Sequence, residues 1–193
     1  MRIAFYTLGC KVNQYETEIL ANRFANDGFD IVDIEDEADV YVINSCTVTA
    51  SGDKKTKQII RRFKRINPNA IVALTGCFPQ AFPDEASLVP EADIIQGSYN
   101  RAALLPNVKK ALQTRERIVD ITPHQKNEAF EPMKAQTFME RTRAFVKIED
   151  GCDRYCTYCI IPKARGPIRS KPLEDIKSEI TDLVANGYKE FVL

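Results

Sequence analysis

Three short apolar runs in the first eighty residues each end beside a cysteine, and this repetition limits what the chain can fold into. Arg2 to Leu8 is followed by Gly9-Cys10, Val40 to Asn44 runs out just before Cys46, and Ala70 to Leu74 leads into Gly76-Cys77. Between the runs lie segments with helical spacing. Glu16 to Asn26 carries Ile19, Leu20, Arg23 and Phe24, and Ala50 to Ile66 is a long helix stopped by Asn67-Pro68. Phe29 to Ile34 alternates like a further strand. Strands alternating with helices predict an α/β fold with a doubly wound parallel sheet, in which sites form outside the carboxyl ends of the strands. Parallel strands all end on one side, so Cys10, Cys46 and Cys77 are expected to converge despite separations of 36 and 31 residues. Taken singly, each is better explained as a small buried hydrophobe than as a ligand. Occupying the same place in successive units, they form a candidate ligand set.

The sheet continues beyond them. Glu85 to Tyr99 reads as a short helix and strand, Asn100 to Thr114 as an amphipathic helix built on Leu104, Leu105, Val108, Ala111 and Leu112, and Arg117 to Ile121 as a last strand. Thr122 to Thr137 is polar and aperiodic, with Pro123 and Pro132, and reads as a linker. His124, the sole histidine, is expected to be a solvated linker residue there. Ala144 to Glu149 alternates like a strand, Pro172 to Asn186 is helical, and Lys189 to Leu193 opens another strand. The expected division is residues 1–121, a linker over 122–140, and 141–193 as the start of a second β/α unit. A chain stopping in a buried strand is expected to be a piece of a longer protein.

The second constellation is GCDRYCTYCIIP, Gly151 to Pro162, with Cys152, Cys156 and Cys159 spaced C-x-x-x-C-x-x-C. A disulfide would strand one of the three. Structural zinc wants four ligands, and no second C-x-x-C follows. Three thiolates on a 4Fe-4S cluster leave one iron open, since such a cluster ordinarily takes four. The set Cys10, Cys46 and Cys77 has the same property.

Composition removes other classes. The 193 residues carry 27 basic and 27 acidic side chains, 44% of the residues are hydrophobic and 28% charged, so a soluble core is expected and no overall positive field attracts a polyanion. The start MRIAFYTLGCK is too short in apolar residues for a signal peptide, and no run approaches the roughly 20 residues of a membrane span, so a cytoplasmic protein without a membrane partner is expected. Charge is locally uneven. From Lys54 to Arg65 there are seven Lys or Arg and no acid, with Ile59, Ile60, Phe63 and Ile66 on the opposite side of a helix. Lys54, Lys57, Arg61 and Arg65 form either an RNA-backbone contact or an ordinary solvated face.

The run Phe145 to Ser170, with Cys152, Cys156, Tyr158 and Cys159, resembles the radical S-adenosylmethionine (SAM) methylthiotransferases, and so do TLGCKVNQYETE (Thr7 to Glu18), YVINSCTVT (Tyr41 to Thr49) and LTGC (Leu74 to Cys77). The resemblance covers most of the chain. It implies two 4Fe-4S clusters, one on Cys152, Cys156 and Cys159 that binds SAM at its open iron and one on Cys10, Cys46 and Cys77 associated with sulfur delivery. It also implies a backbone contact of Tyr158 with the SAM adenine, and the first part of a radical-SAM (β/α) barrel after the linker. The expected reaction is insertion of sulfur, then of a methyl group, on a tRNA adenosine 3' of the anticodon. The partners are the tRNA anticodon stem-loop and a reductant. KVNQYE and CIIPKARG look most like the threonylcarbamoyladenosine branch; isopentenyladenosine and ribosomal-protein aspartate are the substrates of other branches. The piece present is expected not to turn over alone. Two classes compete: a non-catalytic iron-sulfur or electron-transfer protein, and a zinc-stabilised RNA-binding module.

Overall fold

A computed structural model describes residues 1–48, 50–135 and 143–193, and of residues 50–53 the backbone alone. Six strands, β1 (Arg2–Thr7), β2 (Asp30–Ile31), β3 (Val40–Ser45), β4 (Ile71–Gly76), β5 (Ile94–Gln96) and β6 (Ile118–Asp120), form one sheet in the order β2-β1-β3-β4-β5-β6. Every pairing in it is parallel. β3 and β4 lie at the centre with all their residues buried, which is why they read as unbroken apolar runs.

The intervening helices are α1 (Lys11–Asn26), α2 (Ala50–Ile66), α3 (Cys77–Ala81), α4 (Pro83–Ser87) and α5 (Leu104–Thr114). α1 and α5 cover one face, packing Leu20, Phe24, Leu104, Val108 and Ala111 against Ile3, Val40, Val42, Ala73 and Ile94. α2, α3 and α4 cover the other, with Ile60, Phe63, Phe78 and Ala86 against Tyr41, Ile43, Val72, Leu74 and Ile95. There the Phe63 and Tyr41 rings stack 4.3 Å apart. The sheet is therefore doubly wound. The strand order reverses between β1 and β3, and in such sheets that reversal opens a crevice at the carboxyl ends.

The rest of the chain holds β7 (Arg143–Phe145), β8 (Glu149–Asp150), α6 (Ile161–Arg165), β9 (Arg169–Ser170), α7 (Leu173–Ala185) and β10 (Glu190–Val192). β7 and β10 are parallel neighbours with α7 before β10, while β8 and β9 pair antiparallel and bracket the cysteine loop. Ala144, Phe145, Val146 and Leu183 share a core with Tyr15 and Ile19, so α1 is packed on two sides. The Tyr15 hydroxyl donates to Glu179 Oε1 at 2.8 Å, and Lys171 closes the same buried group onto Glu179.

Several elements differ from expectation for physical reasons. α1 starts at Lys11 rather than Glu16, because its first turns turn polar residues, Asn13, Glu16 and Thr17, to the inside and show no apolar period. β2 is only Asp30–Ile31, and the strand expected over Ala144 to Glu149 is split into β7 and β8. α3 and α6, five residues each, and β9, two residues, are too short to carry a period. Residues 122–135 have no helix or strand but are fastened. Gln80 Nε2 donates to the Thr122 carbonyl at 3.0 Å, and the Ala135 amide donates to Glu179 Oε1 at 3.0 Å. His124 is not solvated: its side chain is 10% exposed, with Nδ1 2.7 Å from Glu128 Oε1. Polar groups paired with one another can be buried without leaving a hydrophobic pattern. Thr49, residues 136–140 of the expected linker and residues 141–142 lie outside the described residues.

Candidate metal centres

Cys10 precedes the first residue of α1, Cys46 follows β3, and Cys77 begins α3 at the end of β4, so all three stand at the carboxyl ends of adjacent strands flanking the strand-order reversal. Cys10 is exposed, Cys46 half-buried and Cys77 buried. The glycines before two of them are required. Gly9 has φ +106°, and a Cβ there would lie 2.6 Å from Cys46 Cβ and 2.8 Å from its Sγ. Gly76 has φ +99°, and a Cβ would strike Asn44 Oδ1 and the Ser45 backbone. Both conformations are open to glycine and strained for other residues.

Asn13, which the sequence did not single out, lies between the thiols. Its Oδ1 is 3.7 Å from Cys10 Sγ and 3.9 Å from Cys77 Sγ. Its Nδ2 donates to the Leu8 carbonyl at 2.8 Å and the Ser45 carbonyl at 2.9 Å, tying together the two strand ends that lead to Cys10 and Cys46. With both amide hydrogens used in this way, the oxygen is left to face the sulfurs. Burial pushes the Cys77 thiol up to about 11, against the opposing pull of the Arg165 charge. A metal binding here has to displace that proton.

Among the described residues, no group of three or more His, Cys, Asp or Glu has the spacing of a single metal-ion site. One tetrahedral zinc would draw its sulfurs to roughly 3.8 Å from each other, given Zn–S bonds of about 2.3 Å. A cube of four irons takes its thiolates at separate corners and holds them further apart. Among the described residues, Cys10, Cys46 and Cys77 are the thiols such a cube would meet at this crevice.

The second set lies on the loop between β8 and α6. The Cys152 amide donates to the Gly166 carbonyl at 3.1 Å and the Cys159 amide to the Cys156 carbonyl at 2.9 Å; Cys156 is exposed and the other two are half-buried. Tyr158 is 90% exposed, so its ring is not packed in the core. The loop's exit helix rests on the first set's entry helix: Ala164 of α6 packs with Cys77 and Ala81 of α3, and Ser98 Oγ donates to the Ala164 carbonyl at 2.5 Å. The two cysteine sets are thus built on touching helices.

A buried charge network lies beneath both. Glu16 of α1, 2% exposed at its side chain, accepts from Arg101 Nη2 at 2.6 Å, Lys147 Nζ at 2.8 Å and Arg165 Nη1 at 2.8 Å. Asp150 accepts from Lys147 at 2.9 Å, Arg165 at 3.0 Å and Arg169 at 3.2 Å. Arg101 also pairs with Glu131, and Arg169 with Glu128. Burial alone would raise both carboxyls. The Arg101, Arg165 and Lys147 charges overcome it and hold Glu16 down at about 2, and Lys147, Arg165 and Arg101 likewise hold Asp150 well below the usual carboxylate range.

The basic helix is partly spoken for. Arg61 pairs with Glu91 at 2.9 Å, Lys64 with Asp93 at 2.7 Å, and Arg62 with Glu35. Lys57 lies 5.8 Å from the centre of the Phe78 ring, while Lys54 and Arg65 are exposed. Among the described residues, no helix is long and apolar enough to cross a membrane.

Comparison with known proteins bears on both halves. Residues 2–97 match the uncharacterized protein family UPF0004. The chain is 44% identical over 191 residues to the threonylcarbamoyladenosine tRNA methylthiotransferase MtaB of Bacillus subtilis, covering 99% of this chain and 42% of that protein. It is 41% identical to MtaB of Aquifex aeolicus, over 100% of this chain and 47% of the relative. A tRNA-2-methylthio-N(6)-dimethylallyladenosine synthase of Clostridium novyi is 34% identical over 198 residues. The chain spans less than half the length of these curated relatives. The match to UPF0004 spans Cys10, Cys46 and Cys77, and the similarity to tRNA methylthiotransferases runs on through Cys152, Cys156 and Cys159.

Proposed function

We propose that this chain is the part of a tRNA methylthiotransferase that carries two iron-sulfur centres: one 4Fe-4S cluster on Cys10, Cys46 and Cys77, and a second on Cys152, Cys156 and Cys159 that also binds SAM. The observation that carries this proposal is the meeting of Cys10 and Cys77 at Asn13 Oδ1 of α1, with Cys46 against Gly9, and the contact of α3, which begins at Cys77, with the exit helix of the second cysteine loop. Bound there, the groups supply one-electron cleavage of a sulfonium at the second site and transferable sulfur at the first.

The chain's own residues hold and shield. Gly9 and Gly76 allow the strand ends to approach, Asn13 fixes the spacing of the two loops, and the Glu16 and Asp150 network locks the second loop over the first. Tyr158, exposed beside Cys159, is available to present its backbone to the adenine of SAM. In this proposal residues 1–121 form the sulfur-delivering domain, 122–140 join it to the next, and 141–193, with β7, α7 and β10 as one parallel β-α-β unit, open a (β/α) barrel. A reductant supplies the electron, and the setting is cytoplasmic. The substrate proposed is tRNA threonylcarbamoyladenosine, converted to its 2-methylthio form. Identities of 41–44% with three proteins named for that substrate, above the 33–35% with three dimethylallyladenosine synthases, favour this branch, while two further proteins named for threonylcarbamoyladenosine stand at 33–34%. Lys54 and Arg65, both exposed, are the residues of this helix that would face RNA phosphates, since Lys57 and Arg61 are already engaged.

The test is anaerobic reconstitution with iron and sulfide, followed by addition of SAM. A SAM-dependent change in the cluster spectrum, lost on Cys156→Ala and kept on Cys46→Ala, supports the assignment. Stoichiometric zinc with no iron would replace it by the zinc-stabilised RNA-binding module, and clusters indifferent to SAM by an electron carrier.

A further inference from the structure

Arg165 is the last residue of α6, the helix that leaves the second cysteine loop, yet its guanidinium ends at the first cysteine set. Arg165 Nη2 donates to Asn13 Oδ1 at 2.6 Å, the same oxygen that lies 3.7 Å from Cys10 Sγ and 3.9 Å from Cys77 Sγ. One atom therefore separates the positive charge from two of the three sulfurs. The side chain is 6% exposed, so water screens the charge little. Glu16, 2% exposed, holds Arg165 from the other side at 2.8 and 3.3 Å and places a negative charge one residue further back.

We infer that Arg165 is a positioning residue that sets the electronic state of a cluster on Cys10, Cys46 and Cys77: it orients Asn13 and supplies a buried positive charge beside that cluster. This rests on the cluster assignment proposed above. Iron-sulfur potentials follow the net charge, hydrogen bonding and solvent exposure around the cluster. Reduction adds negative charge, so a buried cation beside the site favours the reduced form and a buried anion opposes it. Because Arg165 sits on the helix that closes the second loop, the two centres are linked through one side chain.

The test uses a chain with Cys152, Cys156 and Cys159 changed to Ala, reconstituted anaerobically, its iron counted and its midpoint potential found by titration. Adding Arg165→Met is expected to shift the potential to a more negative value, Arg165→Lys to shift it less in the same direction, and Glu16→Gln to shift it the opposite way. A merely structural role would loosen the site and move Arg165→Met and Glu16→Gln together, and that result, or unchanged potentials, overturns the inference. Should Arg165→Met not fold, the opposite signs of Arg165→Lys and Glu16→Gln decide. A parent chain that binds no iron sinks the cluster assignment, and the inference with it; a parent that binds iron with potentials indifferent to these changes sinks the inference alone.

Discussion

Replacing Glu16 by Gln tests the buried network on which both cysteine sets rest. The carboxylate accepts from three cations and is almost wholly buried. A carboxyl held at about 2 instead of its ordinary 4.5 contributes about 3 kcal/mol to folding at neutral pH, at about 1.4 kcal/mol per tenfold change in proton affinity. A second route agrees: removing one partner of a buried ion pair costs about 3–5 kcal/mol, because the charges left behind stay buried without compensation. Since the folded-state value lies below the unfolded one, this stabilisation is complete above about pH 4.5 and is lost as the pH falls towards 2. Urea unfolding of the metal-free chain at pH 7.5 should show the midpoint falling by about 1–2 M, taking a urea slope of about 2 kcal/mol per M. Repeated at lower pH, the difference between the native chain and the variant should close as the carboxylate is protonated. A loss below about 0.5 kcal/mol at pH 7.5, or a difference that does not change with pH, would refute the idea that Glu16 anchors the network as an ionised group.

Other consequences are simpler to measure. Gly9→Ala should reduce the iron bound by a chain lacking the second cysteine set, because the new methyl group meets Cys46 and the positive φ strains the backbone; unchanged iron content would show that the strand end can shift freely. Phe63→Ala should lower stability by about 3–5 kcal/mol in urea unfolding, since it empties the place stacked on Tyr41 under β3. Changing Lys54 and Arg65 to Glu should weaken binding of an anticodon stem-loop at low salt, and Arg61→Glu less so, since that residue already pairs with Glu91; equal affinity for all three proteins would make the helix an ordinary solvated face.

The parts of the fold visible in the sequence are those with a period. β3 and β4 read as strands because both of their faces are covered, and α2 because Ile60 and Phe63 face the sheet while charged residues face outward. The convergence of Cys10, Cys46 and Cys77 followed from the rule that parallel strands end on one side. Asn13, Glu16, Asp150 and Arg165 were hidden for the opposite reason: each is a polar residue buried by pairing, and the partners lie far apart in sequence, as Arg165 and Asn13 do across 152 positions. A signal was present in α1, where the stripe of Leu20 and Phe24 runs back through Thr17 and Glu16 to Asn13. Polar residues on the inward face of a helix, at the end next to a cysteine, point to a site rather than a core. The burial of His124 was hidden because it comes from pairing with Glu128 in a segment without helix or strand.

The most direct test of the two-centre account is the iron and acid-labile sulfide content of the anaerobically reconstituted chain, compared with variants in which Cys10, Cys46 and Cys77, or Cys152, Cys156 and Cys159, are changed to Ala. Two independent cubes predict about eight irons per native chain and about four in each triple variant. About four irons in the native chain, lost entirely in either variant, would mean that the six cysteines build one shared centre, and would contradict the account.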